Sequence, residues 1–131
     1  MSLRPEISGA PVDNTVADWS ESATATGATA TATHALTAAK SHYICGLAFS
    51  AQGQTSVEPE EMTASLYSGS TVIWKVSFQA QVVDDNTPGS GPQFFSLTHP
   101  IKGGSGELVK LVIEGAGGYT AVYANIWGFT A

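Results

Sequence analysis

Apolar and polar residues alternate along most of this chain with the period of two that is typical of half-buried β-strands. The clearest such segment runs from Val72 to Gln81. Its core-facing positions are predicted to be Val72, Trp74, Val76, Phe78 and Ala80, and its solvent-facing positions Lys75, Ser77, Gln79 and Gln81. The last segment, from Tyr119 to Phe129, alternates in the same way, and the 3.6-residue period of a helix is absent.

The stretch "TATGATATATHALTA", Thr24 to Ala38, consists almost entirely of small residues that alternate. Its threonines change from even to odd positions at Gly27, and we predict a glycine bulge that keeps them on one face of a single strand. The opposite face would then carry Ala28, Ala30, Ala32, His34, Leu36 and Ala38. An alanine face permits close approach of another sheet or subunit, whereas the threonine face is uncharged and favours β-structure.

The next stretch, "SHYICGLAFSAQ", is predicted to be a strand whose core-facing residues are Tyr43, Cys45, Leu47 and Phe49. A tight hairpin at Ala39 and Lys40 would pair it with the Ala/Thr strand. Alternatively, the two strands belong to different sheets and meet across the core. In both arrangements the small alanines leave room for large side chains, as dense packing requires.

The rest of the chain supplies further strands. "MTASLYSGSTVIWKVSFQAQVV" indicates two strands about a turn at 68–70, and residues 84–92 have the composition of a loop. "QFFSLTHPI" indicates a short strand that ends at Pro100, and "ELVKLVIEG" and "YTAVYANIWGFTA" complete the set. Seven or eight strands predict an all-β fold, an antiparallel β-sandwich for which a jelly roll is the preferred topology.

Residues 1–20 are interpreted as an extended N-terminal arm in front of a β-sandwich domain at 21–131, because prolines and glycines disfavour regular structure there. A floppy terminus is the alternative. If the arm orders on a neighbouring copy or a capsid subunit, Ile7, Val12 and Trp19 are the expected contacts.

Composition excludes several classes of function. A content of 43% hydrophobic and 12% charged residues is that of a globular chain, and 131 residues fit one domain. The net charge is −6 and the five basic residues do not cluster, so no nucleic acid partner is expected. Cys45 is the one cysteine, so packing or assembly must stabilise the fold.

The sequence has neither a secretory signal nor an apolar run of ~20 residues. We therefore expect no membrane contact and a cytosolic product that is released by a route such as lysis.

Candidate catalytic and metal-binding groups are sparse. His34, His42 and His99 lack Cys, Asp or Glu at zinc-site spacing. A pair of His34 and Cys45 across a hairpin would supply two ligands, fewer than zinc uses, so His34 is interpreted as a core or interface histidine. His42 and His99 are interpreted as solvated. No Gly-x-Ser-x-Gly elbow occurs, and residues 84–86 lack the spacing of a calcium loop. We predict no catalytic residue, no metal and no cofactor.

Aromatic residues are the usual surface for stacking sugars. Trp74 and Trp127 lie on faces assigned to the core. Tyr67 and Tyr119 lie close to loop ends and are the candidates for glycan contact.

Four stretches carry a resemblance to a known group of proteins: "ATATHALTAAKSHYICGLAFSAQG", "TASLYSGSTVIWKVSF", "FSLTHPIKGGSGELVKLVIEGAGG" and "YANIWGFTA". Their order along residues 25–131 resembles that of small jelly-roll virion proteins of tailed phages and prophages, of the capsid decoration or head-fibre type. Residues 1–24 fall outside the resemblance.

The resemblance implies a non-enzymatic structural protein, assembled in the host cytoplasm, that decorates or cements the capsid exterior or forms a fibre base. It also implies a homotrimer or another closed ring, with the major capsid protein or another virion protein as partner. Thr29, Thr31 and Thr33 are the hypothetical oligomer interface. The alternative function is a carbohydrate-binding, lectin-like host-recognition module on the same sandwich.

Overall fold

A computed structural model of the protein describes residues 17–53, 61–82, 92–114 and 119–131. These residues form nine strands and no helix, and therefore no helix able to cross a membrane. The strands are β1 (Trp19–Ala25), β2 (Ala30–His34), β3 (His42–Gly53), β4 (Glu61–Ser68), β5 (Thr71–Gln79), β6 (Gln81–Val82), β7 (Gln93–Lys102), β8 (Val109–Glu114) and β9 (Tyr119–Thr130).

Two sheets form a β-sandwich. The first sheet has the order β1-β9-β3, with β7 and the two-residue β6 along the other edge of β3, and the second has the order β2-β8-β4-β5. β1 pairs with β9, β2 with β8, β3 with β7 and β4 with β5, all antiparallel. The chain is thus a long hairpin, rolled so that its pairs divide between two sheets, which is the jelly-roll arrangement. The predicted antiparallel sandwich and its preferred topology are confirmed.

The core lies between the sheets and follows the predicted alternation. In β8, Val109, Leu111 and Ile113 are fully buried, and the residues between them are not. The buried apolar residues of the other strands include Leu47, Phe49, Met62, Leu66, Phe78, Val122 and Ile126. Each fully buried Leu or Ile contributes about 1.5–3 kcal/mol relative to an exposed one.

The Ala/Thr stretch is not one strand, and the prediction of a bulge at Gly27 is wrong. Gly27 has φ +64°, in the left-handed region that favours glycine, and it turns the chain from β1 in the first sheet to β2 in the second. Within β2 the predicted faces are correct, since Ala30 and Ala32 are buried and Thr31 is exposed.

The connection between β2 and β3 also joins different sheets. Leu36, Ala38, Ala39 and Lys40 are exposed in this connection, and Ala39 has φ +61°. The predicted alternative of two strands in different sheets is therefore confirmed, and the hairpin is wrong.

Bulges change the face of several predicted core residues. In β3 the register shifts between Ile44 and Gly46, so Ile44 and Leu47 both enter the core. Tyr43 is displaced to the outer face, where it stacks on Phe129 at 4.8 Å between ring centroids. A shift in β5, opposite Leu66 and Tyr67, similarly leaves Val72 44% exposed, whereas Trp74 packs against the core as predicted.

Trp127 lies on the outer face of β9, and the prediction that it faces the core is wrong. Val122, Ala124, Ile126 and Gly128 are the buried positions, and Trp127 belongs to the alternate, outer set. Both sets are largely apolar in this strand, so the alternation alone does not identify the inner one.

β7 continues through Pro100 to Lys102 rather than ending at the proline. Its pairing with β3 jumps from Ser96 opposite Gly46 to Ile101 opposite Ile44, and Pro100 lies in that irregular stretch. Proline is tolerated there because the ladder hydrogen bonds are already interrupted.

Candidate functional site

The outer face of β3 carries small side chains at the centre of the first sheet. The outward positions after the bulge are Gly46, Ala48 and Ser50, and the core positions between them are Leu47 and Phe49. Because side chains of directly paired residues lie on the same face, this row of small residues forms the floor of a trough between larger neighbours.

Neighbouring strands supply the walls. Ala48 is paired with Phe94 of β7 on one side and with Asn125 of β9 on the other, and Ser50 is paired with Tyr123. Phe94 is 69% exposed and Tyr123 47% exposed. Two aromatic rings therefore flank the floor with much of their surface in water.

Trp127 closes one end of the trough. Gly46 is its strand partner, and a Cβ atom on Gly46 would overlap the indole, with Nε1 at 2.7 Å. The indole therefore lies over the glycine, and its ring centroid is 5.4 Å from that of Phe94. The aromatic surface continues along the same face to the stacked pair Tyr43 and Phe129, near which the Lys102 ammonium lies 5.8 Å from the Tyr43 ring centroid.

The trough encloses about 150 Å³ and offers apolar and neutral polar contacts. Ser50 and Asn125 supply a hydroxyl and an amide, and none of the described residues that line the trough has a charged side chain. Such a surface can stack against an apolar face and exchange hydrogen bonds.

A second cluster joins the two sheets where β1 and β2 meet. The Trp19 and His34 rings stack at 4.1 Å between centroids with planes 8° apart, and His34 Nδ1 lies 2.8 Å from Glu21 Oε2. His34 is thus a satisfied histidine between the sheets, as interpreted from the sequence. In the described part of the chain, no group of three or more His, Cys, Asp or Glu side chains is placed to hold a metal.

His42 is fully buried, and the interpretation of a solvated histidine is wrong for it. Its Nε2 donates to the carbonyl oxygen of Ala35, and its Nδ1 lies 2.8 Å from Thr130 Oγ1, which donates to it in the neutral tautomer. The ring also packs edge-on against His34 at 4.5 Å. His99 is exposed, as interpreted.

The structure disperses the residues predicted to be functional. Thr29, Thr31 and Thr33 are exposed along the edge of the second sheet, and Trp19 packs within its own chain in β1, two residues before the expected start of the sandwich at 21. Tyr67 is half-buried, with the Lys110 ammonium 5.2 Å from its ring centroid. Ile7, Val12 and the side chain of Tyr119 lie outside the described residues.

The trough residues Phe94, Tyr123 and Asn125 were not predicted. A signal for them was present in β3, where Gly46, Ala48 and Ser50 alternate with large core residues. Small outward side chains on a strand at the centre of a sheet leave a depression, but which residues flank it depends on strand pairing.

In comparisons with known proteins, no protein-family model matches the chain, and no curated protein matches it. The surfaces of the molecule are therefore the basis for inferring its function.

Gly46→Ala is expected to lower the free energy of unfolding by about 1–3 kcal/mol, because the added methyl group occupies the position of the Trp127 indole. Displacement of the indole should change the near-ultraviolet circular dichroism, and urea unfolding measures the stability. Ala48→Ser, which adds one atom to the same strand face, serves as the control. Unchanged stability and spectrum in Gly46→Ala would contradict the close approach of indole and backbone.

Proposed function

We propose that this protein is a non-enzymatic structural protein of a phage or prophage particle, and that it acts as a homo-oligomer on the capsid exterior or at a fibre base. The observation that carries the proposal is the threonine strip, defined as Thr29, Thr31 and Thr33, which is exposed at the edge of the second sheet.

The edge strand β2 has few of the features that keep edges apart. Monomeric proteins protect their edge strands with charged residues, prolines or bulges. β2 has the sequence Ala-Thr-Ala-Thr-His and a regular register with β8, its strand partner among the described residues. Its histidine, His34, is engaged with Trp19 and Glu21. This edge is therefore suited to pairing with another strand.

Charge favours association at this strip. The chain carries eleven acidic and five basic residues, so most approaches of two copies are opposed by like charges. The threonine strip is uncharged, and threonine pairs across strands form favourable contacts. The three threonines themselves bring no carboxylate to such a contact.

The fold and the sequence resemblance support the location. A jelly roll is an architecture used by viral capsid proteins and lectins, and the resemblance to decoration and head-fibre proteins covers residues 25–131. The proposal includes a homotrimer, a major capsid protein or another virion protein as partner, and a place in the virion after assembly in the host cytoplasm.

The experiment is light scattering on the purified chain and two variants. We expect a mass near a small multiple of 13.5 kDa for the wild type, and a monomer for Thr31→Arg, because arginine places a charge and a long side chain in the strip. Ser77→Arg, on the exposed side of the opposite edge strand β5, is the matched control and should keep the oligomer.

Co-sedimentation with capsids that lack the protein tests the partner. Binding by the wild type and its loss in Thr31→Arg support the proposal. The proposal is contradicted if the wild type is a monomer that does not co-sediment with capsids, or if Thr31→Arg leaves the oligomer mass unchanged.

A further inference from the structure

We infer that the trough on the first sheet binds a neutral saccharide, with Phe94 and Tyr123 as stacking platforms. The inference goes beyond the structural role proposed above and does not depend on it, because the trough and the threonine strip belong to different sheets.

Exposed aromatic surface is concentrated at the trough. Among the described residues, four large hydrophobic side chains are strongly exposed: Leu36, Val72, Phe94 and Tyr123. The last two lie on either side of the floor residues Ala48 and Ser50, and the Trp127 ring adjoins Phe94. Clustering of this kind marks a binding surface, whereas scattered single residues do not.

The shape of the trough indicates a small ligand unit. A volume of about 150 Å³ is below the roughly 300 Å³ at which pockets for drug-sized ligands begin, so it suits one ring-sized group at a time. A protein interface needs roughly 800 Å² on each partner, with side chains that interdigitate. A short trough with an aromatic wall on each side fits a pyranose ring better than it fits a second sheet.

The chemistry of the lining selects a polyhydroxylated and uncharged ligand. A sugar ring presents C–H groups on its faces and hydroxyl groups around its rim. The faces of Phe94 and Tyr123 can stack on the C–H groups of the sugar. Amide and hydroxyl groups both donate and accept, so they can bind the sugar hydroxyl groups. Ser50 on the floor and Asn125 on the β9 side place such groups beside the aromatic rings. Because the described lining residues carry no charge, an acidic sugar would lose hydration there without gaining an ionic partner from them.

The test uses the full chain on an array of neutral and acidic oligosaccharides: cello-, malto- and galacto-oligosaccharides against sialylated and uronate-containing ones. Calorimetric titration of the best neutral oligosaccharide then compares the wild type with Phe94→Ala and Tyr123→Ala. Each variant is expected to weaken binding about tenfold, since it removes one stacking face. Val72→Ala, which shortens an exposed apolar residue of the second sheet, is the matched control and should bind like the wild type.

Phe94 and Tyr123 are exposed, so both variants should fold, and their melting temperatures verify this. Absence of binding to any neutral oligosaccharide at millimolar concentration overturns the inference, as does binding restricted to acidic ones or binding that both variants retain. Loss of oligomer mass in Phe94→Ala and Tyr123→Ala also overturns it and would identify the trough as a subunit contact. The structural proposal is tested separately: it fails if Thr31→Arg has the same oligomer mass as the wild type.

Discussion

Gly128→Ala is expected to lower the free energy of unfolding by about 3–5 kcal/mol, enough to unfold a domain of this size or nearly so. Gly128 is buried in β9 and lies between Trp19 of β1 and Ile44 of β3. A Cβ atom there would overlap the carbonyl oxygen of Tyr43 and lie 2.9 Å from Cζ2 of Trp19. Because the obstruction includes backbone, a change of side-chain rotamer cannot relieve it, and β3 must move away from β9.

Urea unfolding followed by circular dichroism measures this effect. The matched control is Ser22→Thr, which adds one methyl group to an exposed position of β1 and should change the stability by less than about 0.5 kcal/mol. If Gly128→Ala remained within 1 kcal/mol of the wild type, roughly the cost of an ordinary substitution, the close approach of β3 and β9 would be contradicted.

His42→Ala is expected to lower the free energy of unfolding by about 2–4 kcal/mol. The ring is fully buried, and its two nitrogens are hydrogen-bonded to the Ala35 carbonyl and the Thr130 hydroxyl. Its removal leaves a cavity and two polar groups without their partner. The loss combines a packing effect with the desolvation of unpaired groups.

His34→Ala is the comparison for this prediction. Its side chain is 22% exposed and pairs with Glu21, which is 37% exposed, so solvent screens the pair and replaces its lost hydrogen bond. We expect a cost of about 1 kcal/mol, chiefly from the lost stacking on Trp19. If His42→Ala and His34→Ala lowered the free energy of unfolding equally, the burial of His42 would not explain its contribution to stability.

The two proposed surfaces lie on opposite sheets of one jelly roll. An edge strip that joins copies leaves the aromatic trough of each copy accessible, because β2 is at the edge of the second sheet and the trough crosses β7, β3 and β9 of the first. An oligomer built in this way would present several identical troughs. Linked sites bind a repeating ligand more strongly than a single site does.

The sequence by itself determined the class of fold and much of the core. Alternation with a period of two is a local consequence of the pleated backbone, so it identified β8, most of β5 and the buried alanines of β2 without knowledge of their partners. The turn at Gly69 was likewise indicated by local composition.

Tertiary structure decided which face of a strand is inside and which residues meet. Tyr43 lies on the outer face of the first sheet because a bulge in β3 shifts the alternation. Trp127 lies on the same outer face because the opposite face of β9 packs between the sheets. His42 is buried because Ala35 and Thr130, seven positions before it and 88 after it, converge on its ring. The trough likewise requires β7 and β9 on either side of β3. These features depend on pairing between distant segments, which a local pattern of polarity does not encode.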